Sequence, residues 1–212
     1  MSLDPRGRFS GHDKSNPDWA LDCDSFTIED VAKKTRAFLY EEHYQPLGIE
    51  AAPGVHFGFI VAGYSAGKQF SEVWQFQIVD GNCDEPQRLL ARGQASVYAA
   101  GDPEVFSRLV VGYSQALGPA LIKLGLPSEN LNAALELIKN DINVPLVEPP
   151  MPIQDTIDLA EFFVYTTATF TRFKRGAPTV GGPIESAAIT KHEGFKWVRR
   201  KHYYDTILNS GE

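Results

Sequence analysis

From residue 25 onward, apolar positions follow two rhythms, one near 3.6 residues and one of two. Ile28, Val31, Ala32, Thr35, Phe38 and Leu39 recur at helical spacing. Ser25 or Thr27 can cap that helix, and the acidic pair Glu29-Asp30 suits its positive end. Pro46 and Gly48 end it. The apolar run from Val55 to Ala62 reads as a buried strand. Trp74, Phe76 and Ile78 then alternate as a strand does, although Phe70, Val73 and Trp74 also fit a helical turn. The turn chemistry of Asp80-Gly81-Asn82 favours the strand, and Arg88 to Ala95 suggests another short one.

The helical period returns around Pro103 to Leu124, with a break or fresh start near Gly118-Pro119. A second piece runs from Ser128, a possible cap, to Ile138. Pro145, Pro149, Pro150 and Pro152 form a stiff connector. Asp155 to Phe173 is then apolar enough for a helix covered on most sides. Strands around 184–190 and 195–200 close the chain, with Glu193-Gly194 as their turn. Strands grouped with strands and helices with helices predict an α+β layered domain with largely antiparallel sheets. That domain is expected over residues 25–203. Residues 1–24, rich in Asp, Gly, Ser, Asn and Pro, read as a tail or loop, and 204–212 as a second tail.

Composition narrows the function classes. A chain of 212 residues with 43% hydrophobic and 22% charged residues is ordinary for a globular domain. The net charge of −7 argues against a nucleic-acid partner. The basic run Lys196 to His202 reads as a solvated strand end or interface. Cys23 and Cys83 form no C-x-x-C, and the five histidines show no H-x-x-x-H spacing, so neither a metal nor a disulfide framework is expected. No apolar run reaches membrane-spanning length and no signal-peptide core follows the start, which leaves a reducing cytoplasm as the expected compartment. Met1-Ser2-Leu3 resembles a vector remnant, which would make Asp4 an internal position of a longer protein.

Two stretches look chemical. Gly181-Gly182 lacks the G-x-G-x-x-G spacing of a phosphate loop and precedes a strand instead of a helix, so no nucleotide cofactor is expected. Gly63-Tyr64-Ser65-Ala66-Gly67 matches the G-x-S-x-G of a nucleophile elbow. In that reading Ser65 attacks, Asp158 (or Asp155) is the acid and His192 (or His202) the base. Lys68-Gln69-Phe70 followed by alternating aromatics instead reads as a hairpin return. The chain also lacks the repeated βα alternation of that fold, so the hairpin is the preferred reading.

Several stretches together resemble the proteasome β-subunit family of N-terminal nucleophile hydrolases: "FGFIVAGYSAGKQF", "ARGQASVYAAG", "DTIDLAEFFVYTTATFTRF" and "PTVGGPIESAAITKHEGFKWV". The likeness runs over roughly residues 25–201 and rests on their order and distances. It implies an αββα sandwich and hydrolysis of peptide or amide bonds. An N-terminal threonine would attack, with its own amine as base, a nearby lysine, and a backbone N–H as oxyanion hole. It also places Gly93, Gln94, Val180, Gly181 and Gly182 at the border of the active site.

The departures are as informative. No apolar strand pair carrying the threonine and lysine precedes the first helix, so the fold is expected to be incomplete at its N-terminus. Gln94 stands where the family has serine. Ala177 and Val180 stand where it has an acid and a serine. The expectation is a chain inactive by itself, or a structural or assembly subunit. The later helices, with Leu117, Leu121, Leu131, Leu135 and Leu137 among their apolar residues, carry more than one stripe needs, so self-association at least to a dimer is expected.

Overall fold

A computed structural model describes residues 21, 22, 24–48, 54, 56–91 and 93–201. Most of the tail expected over 1–24, and all of that over 204–212, lie outside the described residues, as do Cys23 and His202. The protein is a mixed α+β chain with two antiparallel sheets, and it groups into two compact units, Met1–Gln94 with Ile189–Gly194, and Ala95–Ala188 with Phe195–Glu212.

The first unit starts at helix α1, Ile28–Arg36. Thr27 caps it: its hydroxyl accepts the Asp30 amide at 3.0 Å and donates to the Asp30 carboxylate at 2.6 Å. Ser25, the other candidate, bonds back to Asp22. The helix relaxes into a π-helical stretch, Ala37–Tyr44, and a 3-10 turn, Gln45–Leu47, and it stops at Gly48, where φ is 58°.

Strand β1, His56–Gly63, pairs antiparallel with β2, Glu72–Val79, in a register that sets Phe59 against Phe76 and Gly63 against Glu72. The strand reading of residues 70–80 holds for this reason. Asp80 and Gly81, both left-handed (φ 48° and 82°), make a two-residue turn that returns β2 into β3, Asn82–Cys83. Strand β4 is only Gln87–Arg88, against β2. The longer strand expected over 88–95 is not formed, because the Arg88 guanidinium turns onto the Leu90 carbonyl and Gly93 is left-handed.

One face of this sheet carries Phe59, Val61, Phe76 and Ile78, packed with Cys83 under Leu39, Tyr40 and Tyr44. Burying Phe76 and Ile78 contributes about 1.5–3 kcal/mol each. Arg36 fastens the helix to the sheet by donating to the Asp84 and Cys83 carbonyls at 2.9 and 2.8 Å, and Tyr40 donates to Gly81 at 2.9 Å. The other face, with Ile60 and Ala62, is open, so β1 is not the fully buried strand its apolar run suggests. A continuous apolar run shows that one face is covered; it does not show the second.

In the second unit, α2 (Glu104–Phe106) continues as a π-helical turn, Ser107–Val111, and ends at Gly112, where φ is 93°. A Cβ at Gly112 would lie 2.8 Å from the Ile142 side chain. Helix α3 spans Leu117–Lys123. The earlier turn ends at Gly112, and a new helix starts at Leu117, so the fresh start expected near Gly118-Pro119 is formed. Those two residues lie in the first turn of α3, where proline's missing N–H costs no bond. Ser128 caps nothing; Pro127 precedes a 3-10 turn, Ser128–Asn130, which opens α4, Leu131–Ile142. Helix α5, Ile153–Phe173, buries Phe163 and Thr171 while Phe162, Val164, Tyr165, Phe170 and Phe173 are exposed. The expectation of cover on most sides fails there. Strands β5, Ser186–Thr190, and β6, Gly194–Arg199, form the second sheet. Ser186 and Arg199 both reach Glu161 on α5, at 2.7 and 3.2 Å. Among the described residues, no helix is long and apolar enough to cross a membrane.

Candidate functional site

Ser65 sits in the β1–β2 connection, 4% exposed. Both its hydrogen-bonding roles are taken. The hydroxyl donates to Glu72 Oε1 at 2.8 Å and accepts the Ile28 amide, the first of α1, at 2.9 Å. The same carboxylate accepts Trp74 Nε1 at 3.4 Å and lies 4.0 Å from the Arg88 guanidinium. A serine nucleophile needs its proton on a base and its oxygen open to the substrate. Here the proton points at a carboxylate, the oxygen is buried, and the G-x-S-x-G stretch joins two antiparallel strands. A nucleophile elbow joins a strand to a helix.

The other members of that constellation are placed as surface residues. Asp158, exposed on α5, accepts Gln154 Nε2 at 2.8 Å. His192 is exposed in the β5–β6 turn, and neither bond of the Ser65 hydroxyl involves it.

The border residues of the resemblance divide between the units. Gly93 is left-handed (φ 77°), with Phe70 3.6 Å from where its Cβ would be, and exposed Gln94 closes a turn by donating its amide to Ala91 at 3.1 Å. In the second unit, Val180 is half-buried and its carbonyl accepts the Thr171 hydroxyl at 3.3 Å. Gly182 needs glycine for its backbone, at φ 92°. No described atom lies within 4 Å of a Cβ built on Gly181 or Gly182, so the pair faces open space.

Among the described residues, no group of three or more His, Cys, Asp or Glu could hold a metal. A groove of about 510 Å³ is lined by Gln75, Gln77, Asp80, Asn82, Asp84 and Glu85 among others, with no serine, threonine or cysteine in its lining. Sequence reasoning missed Glu72 as the partner of Ser65. Only the pairing register brings the start of β2 back opposite Gly63, and a lone glutamate at a strand end does not reveal that register. Comparison with protein-family models, curated proteins and solved structures finds no significant match.

Proposed function

We propose that this chain is a proteasome-like member of the N-terminal nucleophile hydrolases, whose substrate class is peptide or amide bonds. In this reading the described residues supply the scaffold and the wall of the site, and the reacting group is not among them. The observation that carries it is the run of elements: a helix, an antiparallel hairpin, short helices, one long helix, then a paired-glycine loop entering a closing hairpin. Gly181-Gly182, open on the side where a Cβ would project, suits the border of a cleft. The open face of the β1–β2 sheet suits the second layer of an αββα sandwich.

The engagement of Ser65 by Glu72 and Ile28 weighs against a serine hydrolase. It favours, as the second reading, a non-catalytic subunit that acts by assembly. Two measurements test the proposal. A peptide epoxyketone, which reacts with an N-terminal threonine, and a fluorophosphonate, which reacts with an activated serine, are incubated with the protein and mapped by mass spectrometry. Labelling of Ser65 by the fluorophosphonate would defeat the proposal. A crystal structure then has to show a second sheet stacked on the open face of β1–β2, and a doubly wound parallel sheet would rule the family out.

A further inference from the structure

The sheet of the first unit has one long edge. Its order is β1-β2-β3, with β4 also on β2, so β1 has a neighbour on one side only, whereas β3 and β4 at the far side are two residues each. Which main-chain groups of β1 face outward follows from the ladder. Leu89 donates its amide to the Val73 carbonyl at 2.8 Å, on the β4 side of β2. Main-chain groups alternate in direction along an antiparallel strand. Val73, Gln75, Gln77 and Val79 therefore face β3 and β4, while Glu72, Trp74, Phe76 and Ile78 face β1. The partners of the latter on β1 are Gly63, Val61, Phe59 and Phe57. The amides and carbonyls of His56, Gly58, Ile60 and Ala62 are left pointing away from the sheet, and among the described residues nothing bonds to them.

The side chains leave this edge accessible. All the outward residues are exposed. The strand, His-Phe-Gly-Phe-Ile-Val-Ala-Gly, contains no Lys, Arg, Asp, Glu or Pro, the residues with which proteins block a sheet edge against pairing. A Cβ built on Gly58 meets nothing within 4 Å, so a neighbour's side chain has room to lie across it. Phe57 and Ile60, 48% and 45% exposed, stand on opposite faces of the strand, and a strand added beside them would cover more of both.

We propose that the edge of β1 takes up an extended, uncharged segment of another polypeptide as an added strand. The open donors and acceptors recur at every second residue, a spacing that a second extended backbone matches along its whole length. Main-chain bonds then supply affinity, and the side chains on the two faces supply preference. The chemistry of the occupant follows from β1 itself. Apolar, β-branched or aromatic side chains suit the positions opposite Phe57 and Ile60, and a bulky one suits the space across Gly58. A charge on the occupant would lose water and find no opposite charge on the strand. Edge pairing needs no reacting group, so it stands whether or not the chain hydrolyses peptide bonds.

Acetyl-Thr-Val-Phe-Val-Thr-amide is titrated into the full chain and followed by two-dimensional amide NMR and hydrogen exchange. In the free chain, exchange is expected to be fast at Gly58, Ile60 and Ala62, and slow at Phe59 and Val61, whose amides face β2. Saturating peptide should slow the first three about ten-fold and leave the other two unchanged. The fully N-methylated peptide, and one with both valines replaced by lysine, should each bind about ten-fold more weakly. Ile60→Lys sets a charge on the edge and should weaken the parent peptide by a similar factor. Gly58→Val, which fills the space across the strand, should do so too and guards against a folding defect in the first variant. Slow exchange at Gly58, Ile60 and Ala62 in the free chain at every concentration would mean that another segment of the chain holds the edge. Slowing that grows with protein concentration would mean that a second copy holds it. Either result overturns the proposal, as do undiminished binding of the N-methylated or the lysine peptide, shifts confined elsewhere, or no shift at millimolar peptide.

Discussion

The Ser65 hydroxyl accepts the backbone amide of Ile28 at 2.9 Å, across 37 residues of sequence, from a buried position. It thereby satisfies one of the amides that a helix leaves unpaired at its start. Thr27 satisfies another, at Asp30. The first turn of α1 is capped twice, once locally and once by the hairpin it packs against. Replacing Ser65 with alanine leaves the Ile28 amide and the Glu72 carboxylate each short of a partner. The expected loss is about 1–3 kcal/mol, read as a lowered midpoint in urea unfolding at unchanged slope. An unchanged midpoint would mean that water substitutes for the hydroxyl and that the clamp is incidental.

Gly63, opposite Glu72 in the same hairpin, is held to glycine by contact. A Cβ there would stand 2.8 Å from Ile28 Cδ1. Gly63→Ala overpacks that spot, at a cost of about 1–3 kcal/mol. Because the clash is with the tip of a side chain, trimming Ile28 to valine in the same molecule recovers part of the loss. The double-mutant cycle then shows coupling. Simple additivity of the two substitutions would place the strain elsewhere.

The first helix, its cap at Ser25 or Thr27, its end at Gly48 and the Asp80-Gly81 turn were all legible because each is decided by residues a few positions apart. The hairpin reading of the G-x-S-x-G stretch was legible for the same reason: the alternation of Trp74, Phe76 and Ile78 lies directly after it. What was not legible depends on distant partners. Gly118-Pro119 marked the fresh start of α3, but the stop of the turn before it, at Gly112, was not legible, because its left-handed conformation is seen only in the fold. The apolar residues of β1 and α5 suggested more cover than either has. Hydrophobicity shows a demand for burial and not whether the described chain meets it. For the site, the sequence singled out Ser65 by its spacing, yet the partners that decide its role, Ile28 and Glu72, follow from the register.

Glu104 gathers three donors: Arg108 Nε at 2.7 Å, the Ser114 hydroxyl at 2.7 Å and the Gln115 amide at 3.1 Å. The Ser114 bond most of all, with the Gln115 amide and Arg108 behind it and burial opposing, holds its carboxyl below the ordinary value of 4.5. A carboxyl depressed in the folded state stabilises fully above its unfolded value, and that contribution disappears as pH falls through the lower folded value. Acidification below pH 4.5 is therefore expected to loosen the second unit. Glu104→Gln should flatten that part of the pH dependence of thermal unfolding while lowering stability at neutral pH. A variant with the same acid limb as the parent would show that Glu104 does not carry it.

Cys83 lies 9% exposed in the core under Tyr40. Burial pushes its thiol above the ordinary range, with Arg36 opposing. The reactive species is the thiolate, so alkylation at pH 8 should be slow in the folded protein and fast after denaturation. Peptide mapping after iodoacetamide treatment reads Cys83 separately from Cys23. Arg36→Met removes the donors to the Cys83 and Asp84 carbonyls and should speed the folded-state reaction by opening the β3–β4 turn. Rapid labelling of the parent would show that the core around Cys83 opens readily.

Phe162, Tyr165 and Phe173 are 48%, 65% and 75% exposed on α5. At about 100° per residue they fall within one stripe roughly 80° wide, along about three turns of helix, with Thr169 between Tyr165 and Phe173. Exposed apolar side chains aligned in this way suit a contact surface. The expected outcome is self-association at micromolar concentration, seen by sedimentation velocity as a species that dissociates on dilution. A charge set in the middle of the stripe, Tyr165→Glu, should shift that equilibrium to the monomer without changing thermal stability, because Tyr165 contributes little to the core. Substitution at Leu124, exposed in the turn just after α3, should leave association unchanged and serves as the control. A parent that sediments as one monomeric species at every concentration, unaffected by moderate salt, would remove both the stripe and the assembly reading that depends on it.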